Sequence, residues 1–475
     1  MKDNLMLCTD VYKMGHMEQY PKGTTKVYSY LLARSDKKMP ATLFYGLQYY
    51  LNRLCVRPTQ EMMDEFLEYR KSILGMEASE DIRKKLSDLV KLGYFPLKIK
   101  AVREGSIIPV RNVLMTIENT VPGFHWVVGF FESLLLKIWN TCTVASYSKK
   151  LQMLCSKYAE ETCDNNGHLP FQVHDFGYRG CSSEETAAVS GSAHLINFLG
   201  TDTVTAIKLV KETYGCTAPI GLSVPATEHS VMCAFGQEHE FQAFENLLDL
   251  YPKGIVSIVS DTYDLWNVLS KFAPRLKERI LARDGKVVFR PDSGDPPKII
   301  CGDPDAGYGS DEWLGALQLL DRTFGSTVNS KGFRVLNPKV GLIYGDGMFF
   351  ERFDRTLGLM KELGYASSNL VIGVGGLLLQ QHNRDDQGYA IKATFAEVNG
   401  EMRELMKDPV TDTKKKSHKG LLALFQDIKG RYYTKDQCTP DEEAHSLLET
   451  VFLNGKIARH TTFDEIRDLA LSRAF

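Results

Sequence analysis

Nowhere in the 475 residues do two cysteines form a C-x-x-C pair, although there are ten of them, and their scatter offers no metal-ligand spacing. A disulfide framework is therefore not expected. No signal peptide is recognisable either, so the thiols are expected to be reduced and the protein cytoplasmic. No apolar run reaches the roughly 20 residues that cross a bilayer. The nearest, Phe124 to Trp139, is interrupted by Glu132 and Lys137 and is expected to form one buried amphipathic helix. An excess of charge of one sign is missing as well: 57 basic residues stand against 59 acidic ones, a net charge of −2. That balance gives no basis for a nucleic acid or membrane partner and makes any anion site a local feature. Internal repeats and low-complexity linkers are absent. What remains is 43% hydrophobic and 24% charged, a globular composition with room for two or three domains.

The segment VHDFGYRG, at 173–180, contains the Asp-Phe-Gly tripeptide with which protein kinases hold magnesium. The rest of that machinery is not upstream: there is no Gly-rich phosphate cover, no strand lysine and no His-Arg-Asp loop. Asn383-Arg384-Asp385, the nearest match to the loop, comes far downstream.

From about 170 to 380 the chain repeats one pattern, a short β-branched run, a polar or glycine-rich tip, then a helical stretch. The runs are FQVHDFGYRG (171–180), IGLSVPATEHS (220–230), IVSIVSDTYD (255–264), KVVFRPDSGDP (286–296), KVGLIYGDG (339–347) and NLVIGVGG (369–376), with INFLGTD (196–202) a weaker seventh. This predicts a parallel α/β barrel over 151–384. Residues 1–150 and 385–475, with antiparallel-looking strands, are expected to form one discontinuous outer α+β domain.

In a parallel barrel the strand tips converge on one mouth. Asp261, Asp292 and Asp346, beside Arg290, suit Mg²⁺, which prefers oxygen ligands, or the hydroxyls of a sugar; the competing reading is helix capping. Gly373, Gly375 and Gly376 before a helix, with Arg384 beyond, suit a phosphate. Phe176 can stack a flat heterocycle and Arg179 can meet an anion, although a core aromatic with a surface arginine is the commoner pairing. Asp202 can accept from a carboxamide and would repel a carboxylate. Glu228-His229 is either structural or a base or nucleophile towards phosphorus. The basic run holding Lys407, Lys414, Lys415, Lys416 and Lys419 is either a solvated loop or, with Arg34 and Lys392, a polyphosphate clamp.

The ordered set HDFGYRG, GTDT, SVPATEHS, VSDTYD, RPDSG, GDG, G-x-GG with a following N-R-D, and KDPV closely resembles the nicotinamide-using type II phosphoribosyltransferase family. TDVYKMGHMEQYP (9–21), FYGLQYYLN (44–52) and NGKI with FDEIR (454–467) extend the likeness nearly end to end. The resemblance implies a homodimer with shared sites, each carried by an irregular barrel and completed by the other copy's outer domain. It implies transfer of phosphoribosyl from phosphoribosyl diphosphate to nicotinamide, in NAD salvage, with Mg²⁺ and with ATP hydrolysis coupled through a phosphohistidine at His229, supported by Glu228 and Asp261. Phe176 and Tyr12 of the partner subunit would sandwich the pyridine, and Asp202 would hold its carboxamide. Arg290 and Asp292 would contact ribose and phosphate, with Ser257, Gly345 and Asp346 also at the substrate. Gly375, Gly376 and Arg384 would take the 5′-phosphate. Arg179 would face the diphosphate together with Arg34, Lys392, Lys407 and Lys415 from the other copy, and Asp261 and Asp292 would ligate the metal. Two positions depart from the family pattern: Gly341 stands where animal members carry arginine, and Phe171 replaces a tyrosine, both expected on strands that feed the mouth. A nicotinate-specific relative and a non-catalytic binding protein are the alternative readings.

Overall fold

Alternating apolar residues in KVYSYLL, LKIKA and VLMTIEN pair as antiparallel strands, their inward side chains, among them Leu31, Ile99 and Ile117, fully buried. They belong to a computed structural model that describes residues 4–345, 347–406 and 417–475. The chain divides into two units. One comprises 1–146, 209–217 and 382–475, the other 147–208 and 218–381.

The first unit begins with strands β1 (Thr24–Leu32), β2 (Ala41–Leu43), β3 (Leu97–Ala101), β4 (Ile107–Pro109) and β5 (Val113–Asn119). The second supplies β6 (Val173–Asp175), β7 (Lys253–Val259), β8 (Asp284–Arg290), β9 (Ser326–Val328), β10 (Arg334–Leu336), β11 (Val340–Tyr344) and β12 (Leu370–Val374). The chain then returns to the first for β13 (Ala390–Val398), β14 (Glu401–Glu404), β15 (Leu421–Gln426), β16 (Tyr432–Cys438), β17 (Glu449–Leu453) and β18 (Lys456–Ile457). In the first unit β14-β13-β1-β5-β3-β17-β18 form one sheet. Both chain ends thus meet in it, β1 pairing antiparallel with β13 and β3 with β17.

Residues 124–139 pack into this unit's core but are not one helix. They form Trp126–Phe130, Glu132–Leu135 and the start of Ile138–Thr162, with Phe131 at φ −84°, ψ 1° between the first two. The reason is that side chains from the N-terminal segment claim the intervening carbonyls: Lys13 Nζ donates to Gly129 at 2.7 Å and the Thr9 hydroxyl to Phe130 at 3.0 Å. Lys13 also pairs with Glu132, so the charge that interrupts the apolar run is the anchor for the break.

In the second unit β6-β12-β11-β8-β7 form a parallel half-barrel. The expected strands at 196–202 and 220–230 are not strands. Single parallel bridges, Asp175–Thr201, Gly200–Leu222 and Ala226–Ser257, complete the circuit from β6 back to β7. Pro225 has no N–H to donate, and Gly200 and Gly221 bring no side chain to pack, so neither segment sustains a ladder. Arg283 secures the start of the half-barrel, its guanidinium donating to the carbonyls of Tyr251, Lys253, Gly254 and Lys286. Phe171 stands in a 3₁₀ turn before β6 and is exposed, so it does not lie on a strand as expected; Gly341 does, within β11.

Buried Glu104, in the first unit, accepts from the backbone N–H of Gly46 and Gln48, both at 2.7 Å, and from the Tyr214 hydroxyl at 2.9 Å. It thereby caps the helix Leu47–Leu54 from a distant segment, since Gly46 at the N-cap has no side chain to do so. Burial pushes its pKa up despite these donors. Glu104→Gln turns an amide donor towards backbone donors and should cost about 2–3 kcal/mol, read as a lower urea midpoint at unchanged m-value.

Candidate active site

The carboxyl ends of the parallel strands surround a cavity of about 650 Å³. Phe176, Arg179, Asp202, Glu228, Arg290, Asp292, Gly345, Gly375 and Gly376 line it, all from the second unit. Asp175, the aspartate of the kinase-like tripeptide, points away. It is fully buried, one oxygen accepting from Gly177 N–H at 2.7 Å and the other from the Thr201 hydroxyl at 2.9 Å. It therefore fixes the turn that presents Phe176.

The Phe176 backbone N–H bonds to the Val374 carbonyl at 2.7 Å, and its ring lies against Gly373. A Cβ at Gly373 would come within 2.4 Å of that ring, so this glycine makes room for the aromatic platform. Gly375 has open space around it, and Gly376 opens a short helix and packs on the backbone of Gly180. Asp202 Oδ1 accepts from His174 Nε2 at 2.9 Å and from the Ser223 hydroxyl. Burial works to raise the Asp202 pKa, but these two donors outweigh it and hold the carboxyl below its ordinary value.

Arg290, at the end of β8, donates through Nη2 to the Thr227 carbonyl at 2.6 Å, while its buried Nε has no partner. Burial lowers its pKa against the opposing pull of Asp292, Asp202 and Asp261. Asp261 Oδ2 accepts from Asp292 N–H at 2.8 Å and from the Ser293 hydroxyl at 2.6 Å. Asp292 in turn lies against Gly345, where a Cβ would fall 2.4 Å from its Oδ1. His229 begins the helix His229–Phe235, with Nδ1 3.2 Å from the Thr262 hydroxyl and Nε2 3.7 Å from Asp292 Oδ2. Glu228 bonds the Ser230 hydroxyl. The side chains paired with His229 are thus those of Thr262 and Asp292.

Ser257 is buried within β7 and does not line the cavity. Tyr12, Arg34, Arg384 and Lys392 belong to the first unit. There Tyr12 is 62% exposed, Arg34 donates to the Gly388 carbonyl at 2.9 Å, Arg384 pairs with Asp385 at 3.3 Å, and Lys392 sits in β13 opposite Tyr30. Asp346, Lys407 and Lys415 lie outside the described residues. His174, Ser223 and Thr262 were missed by the sequence reading; each sits inside a motif quoted for a neighbouring residue, and only the fold shows that its side chain turns to the site.

Among the described residues no three His, Cys, Asp or Glu side chains gather as a metal cage. Asp261 Oδ1 is nevertheless buried and without a hydrogen-bond partner, next to Asp292. Two carboxylates with an open oxygen fit Mg²⁺, which takes its other ligands from phosphate and water.

A model of the nicotinate phosphoribosyltransferase (NAPRTase) family matches residues 171–456, and one of the nicotinamide phosphoribosyltransferase N-terminal domain matches 4–81. A nicotinamide phosphoribosyltransferase of Acinetobacter baylyi is 41% identical, over 98% of this chain and 96% of that protein. One from Xanthomonas campestris pv. campestris is 38% identical, over 98% and 97%. In fold the chain is similar to nicotinate-nucleotide pyrophosphorylase from Pyrococcus furiosus, with a TM-score of 0.57 at 14% identity over 99% of this chain and 96% of that one. It is likewise similar to human nicotinic acid phosphoribosyltransferase, with a TM-score of 0.58 at 16% identity over 98% and 93%.

Gly373→Ala must displace the Phe176 ring, 2.4 Å from the added carbon, with the Gly345 carbonyl also close at 3.0 Å. It should cost about 1–3 kcal/mol in urea unfolding and move the ring in a crystal structure; an unmoved ring at full stability would show that the glycine is dispensable.

Proposed function

Because the chain belongs to the nicotinate phosphoribosyltransferase family, we infer that it transfers phosphoribosyl from phosphoribosyl diphosphate to nicotinamide, forming nicotinamide mononucleotide and releasing diphosphate. The observation that carries the choice of pyridine is Asp202, an ionised acceptor at the same mouth as the Phe176 ring. It accepts from a carboxamide N–H and repels the carboxylate of nicotinate.

Stacking on Phe176 orients the ring nitrogen towards C1 of the ribose, which reduces the encounter to a positioned attack. As diphosphate departs, positive charge builds on the ribose, and Asp292, braced by Gly345 and Arg290, lies where it can offset that charge. Asp261 and Asp292 would hold Mg²⁺, which when bound neutralises the leaving diphosphate. Gly375 and Gly376 would hold the 5′-phosphate through backbone N–H groups, and Arg179 faces the diphosphate.

The reading extends to ATP and to a second copy. His229, exposed and set between Thr262 and Asp292, accepts phosphate from ATP and couples its hydrolysis to synthesis. The active form is a homodimer in which the partner's Tyr12 covers the pyridine, and the partner's Arg34 and the partner's Lys392 face the phosphates. All ten cysteines are free thiols, which supports a cytoplasmic setting; among the described residues no helix is long and apolar enough to cross a membrane.

Purified protein given phosphoribosyl diphosphate and Mg²⁺ should form mononucleotide from nicotinamide and not from nicotinate, faster with ATP. Preferential use of nicotinate would replace the substrate, and no turnover of either would leave a binding protein. His229→Ala should keep ATP-independent synthesis and lose the stimulation by ATP; equal stimulation in variant and wild type would sink the phosphohistidine assignment. Chelation with EDTA should abolish turnover, restored by added Mg²⁺.

A further inference from the structure

His174 touches both elements that recognise the pyridine without lining the cavity itself. Its ring centroid lies 4.7 Å from that of Phe176 at an interplanar angle of 36°, and its Nε2 is 2.9 Å from Asp202 Oδ1. Its position is fixed from behind by the chain at Gly200, where a Cβ would come 2.8 Å from Nδ1. The side chain is 12% exposed and that of Asp202 42%, so the histidine is held in place while the carboxylate stays open. An ionised carboxylate accepts hydrogen bonds and cannot donate them, so the hydrogen in this contact belongs to His174 Nε2. Ser223 donates to the same Oδ1, which leaves Oδ2 for a ligand.

We propose that His174 is a positioning residue for pyridine selection. Its Nε2–H and the Ser223 hydroxyl anchor one oxygen of Asp202, so that the other stays aimed at the carboxamide, while its ring supports the Phe176 platform. Without the anchor Asp202 turns freely, and the discrimination between carboxamide and carboxylate relaxes. The inference rests on the nicotinamide reading above.

The test compares kcat/KM for nicotinamide and for nicotinate in wild type, His174→Leu and His174→Gln, with thermal unfolding as the control for folding. Loss of a hydrogen bond to a charged group predicts that His174→Leu loses about tenfold or more in kcat/KM for nicotinamide. The loss should lie mainly in KM, and the preference over nicotinate should shrink. His174→Gln, which keeps an N–H near the place of Nε2, should recover most of that preference. An undiminished preference in His174→Leu overturns the proposal, as does an equal loss in both variants, which would assign the effect to ring packing. If His174→Leu does not fold, His174→Asn, too short to reach Asp202, takes its place against His174→Gln under the same criteria. A wild type that prefers nicotinate instead removes the substrate reading itself, a result distinguishable from every variant outcome.

Discussion

Two missing Cβ atoms, at Gly345 and Gly373, are the constraint on which the mouth of the barrel depends. They stand just past β11 and within β12, and each is overlaid by a side chain from a neighbouring strand: Asp292 folds onto the first and Phe176 onto the second. Any larger residue at either position would collide with those side chains, each 2.4 Å from the added carbon. The aromatic ring and the carboxylate can therefore approach from β6 and β8 across the two strands that separate them, β12 and β11.

The electrostatics follow from this convergence. Asp202, Asp261 and Asp292 surround one partly buried arginine, and burial lowers the Arg290 pKa while those carboxylates hold it up. The hydrogen bonds are divided so that each acid keeps a distinct character. Asp202 is tied by His174 and Ser223, Asp261 by the backbone of Asp292 and by Ser293, and Asp292 faces His229. Three neighbouring acids are thus held by three different sets of partners.

Much of this was legible in the sequence because strand tips are punctuated by residues that a strand interior avoids. The runs ending in Phe176, Arg290 and Gly375 were recognisable by their β-branched cores and polar ends, and those residues do line one cavity. What was not legible depended on partners distant in sequence. The apolar run 124–139 contains no proline, and its break is set by Lys13 and Thr9, more than a hundred positions earlier. The three glycines of VIGVGG were read together as a phosphate feature, yet Gly373 is occupied by Phe176 and only Gly375 is open. Ser257 was expected at the substrate, but β7 is buried continuously from Val256 to Val259, which leaves it enclosed.

The departures from regular barrel structure fall where the chemistry is. Residues 196–202 and 220–230 make single bridges in place of strands, and these segments carry Asp202, Ser223 and Glu228. A regular ladder would have committed their backbone and fixed their side chains at the spacing of a pleat; bridges leave the side chains free to bend towards one point while still closing the barrel. Gly341 shows the complementary effect inside β11. A side chain there would meet the Lys286 stem at 3.2 Å and Val288 at 3.3 Å, so the space left by the glycine is bordered by a lysine from β8. Burial lowers that lysine's pKa, as expected for a cation drawn into the sheet.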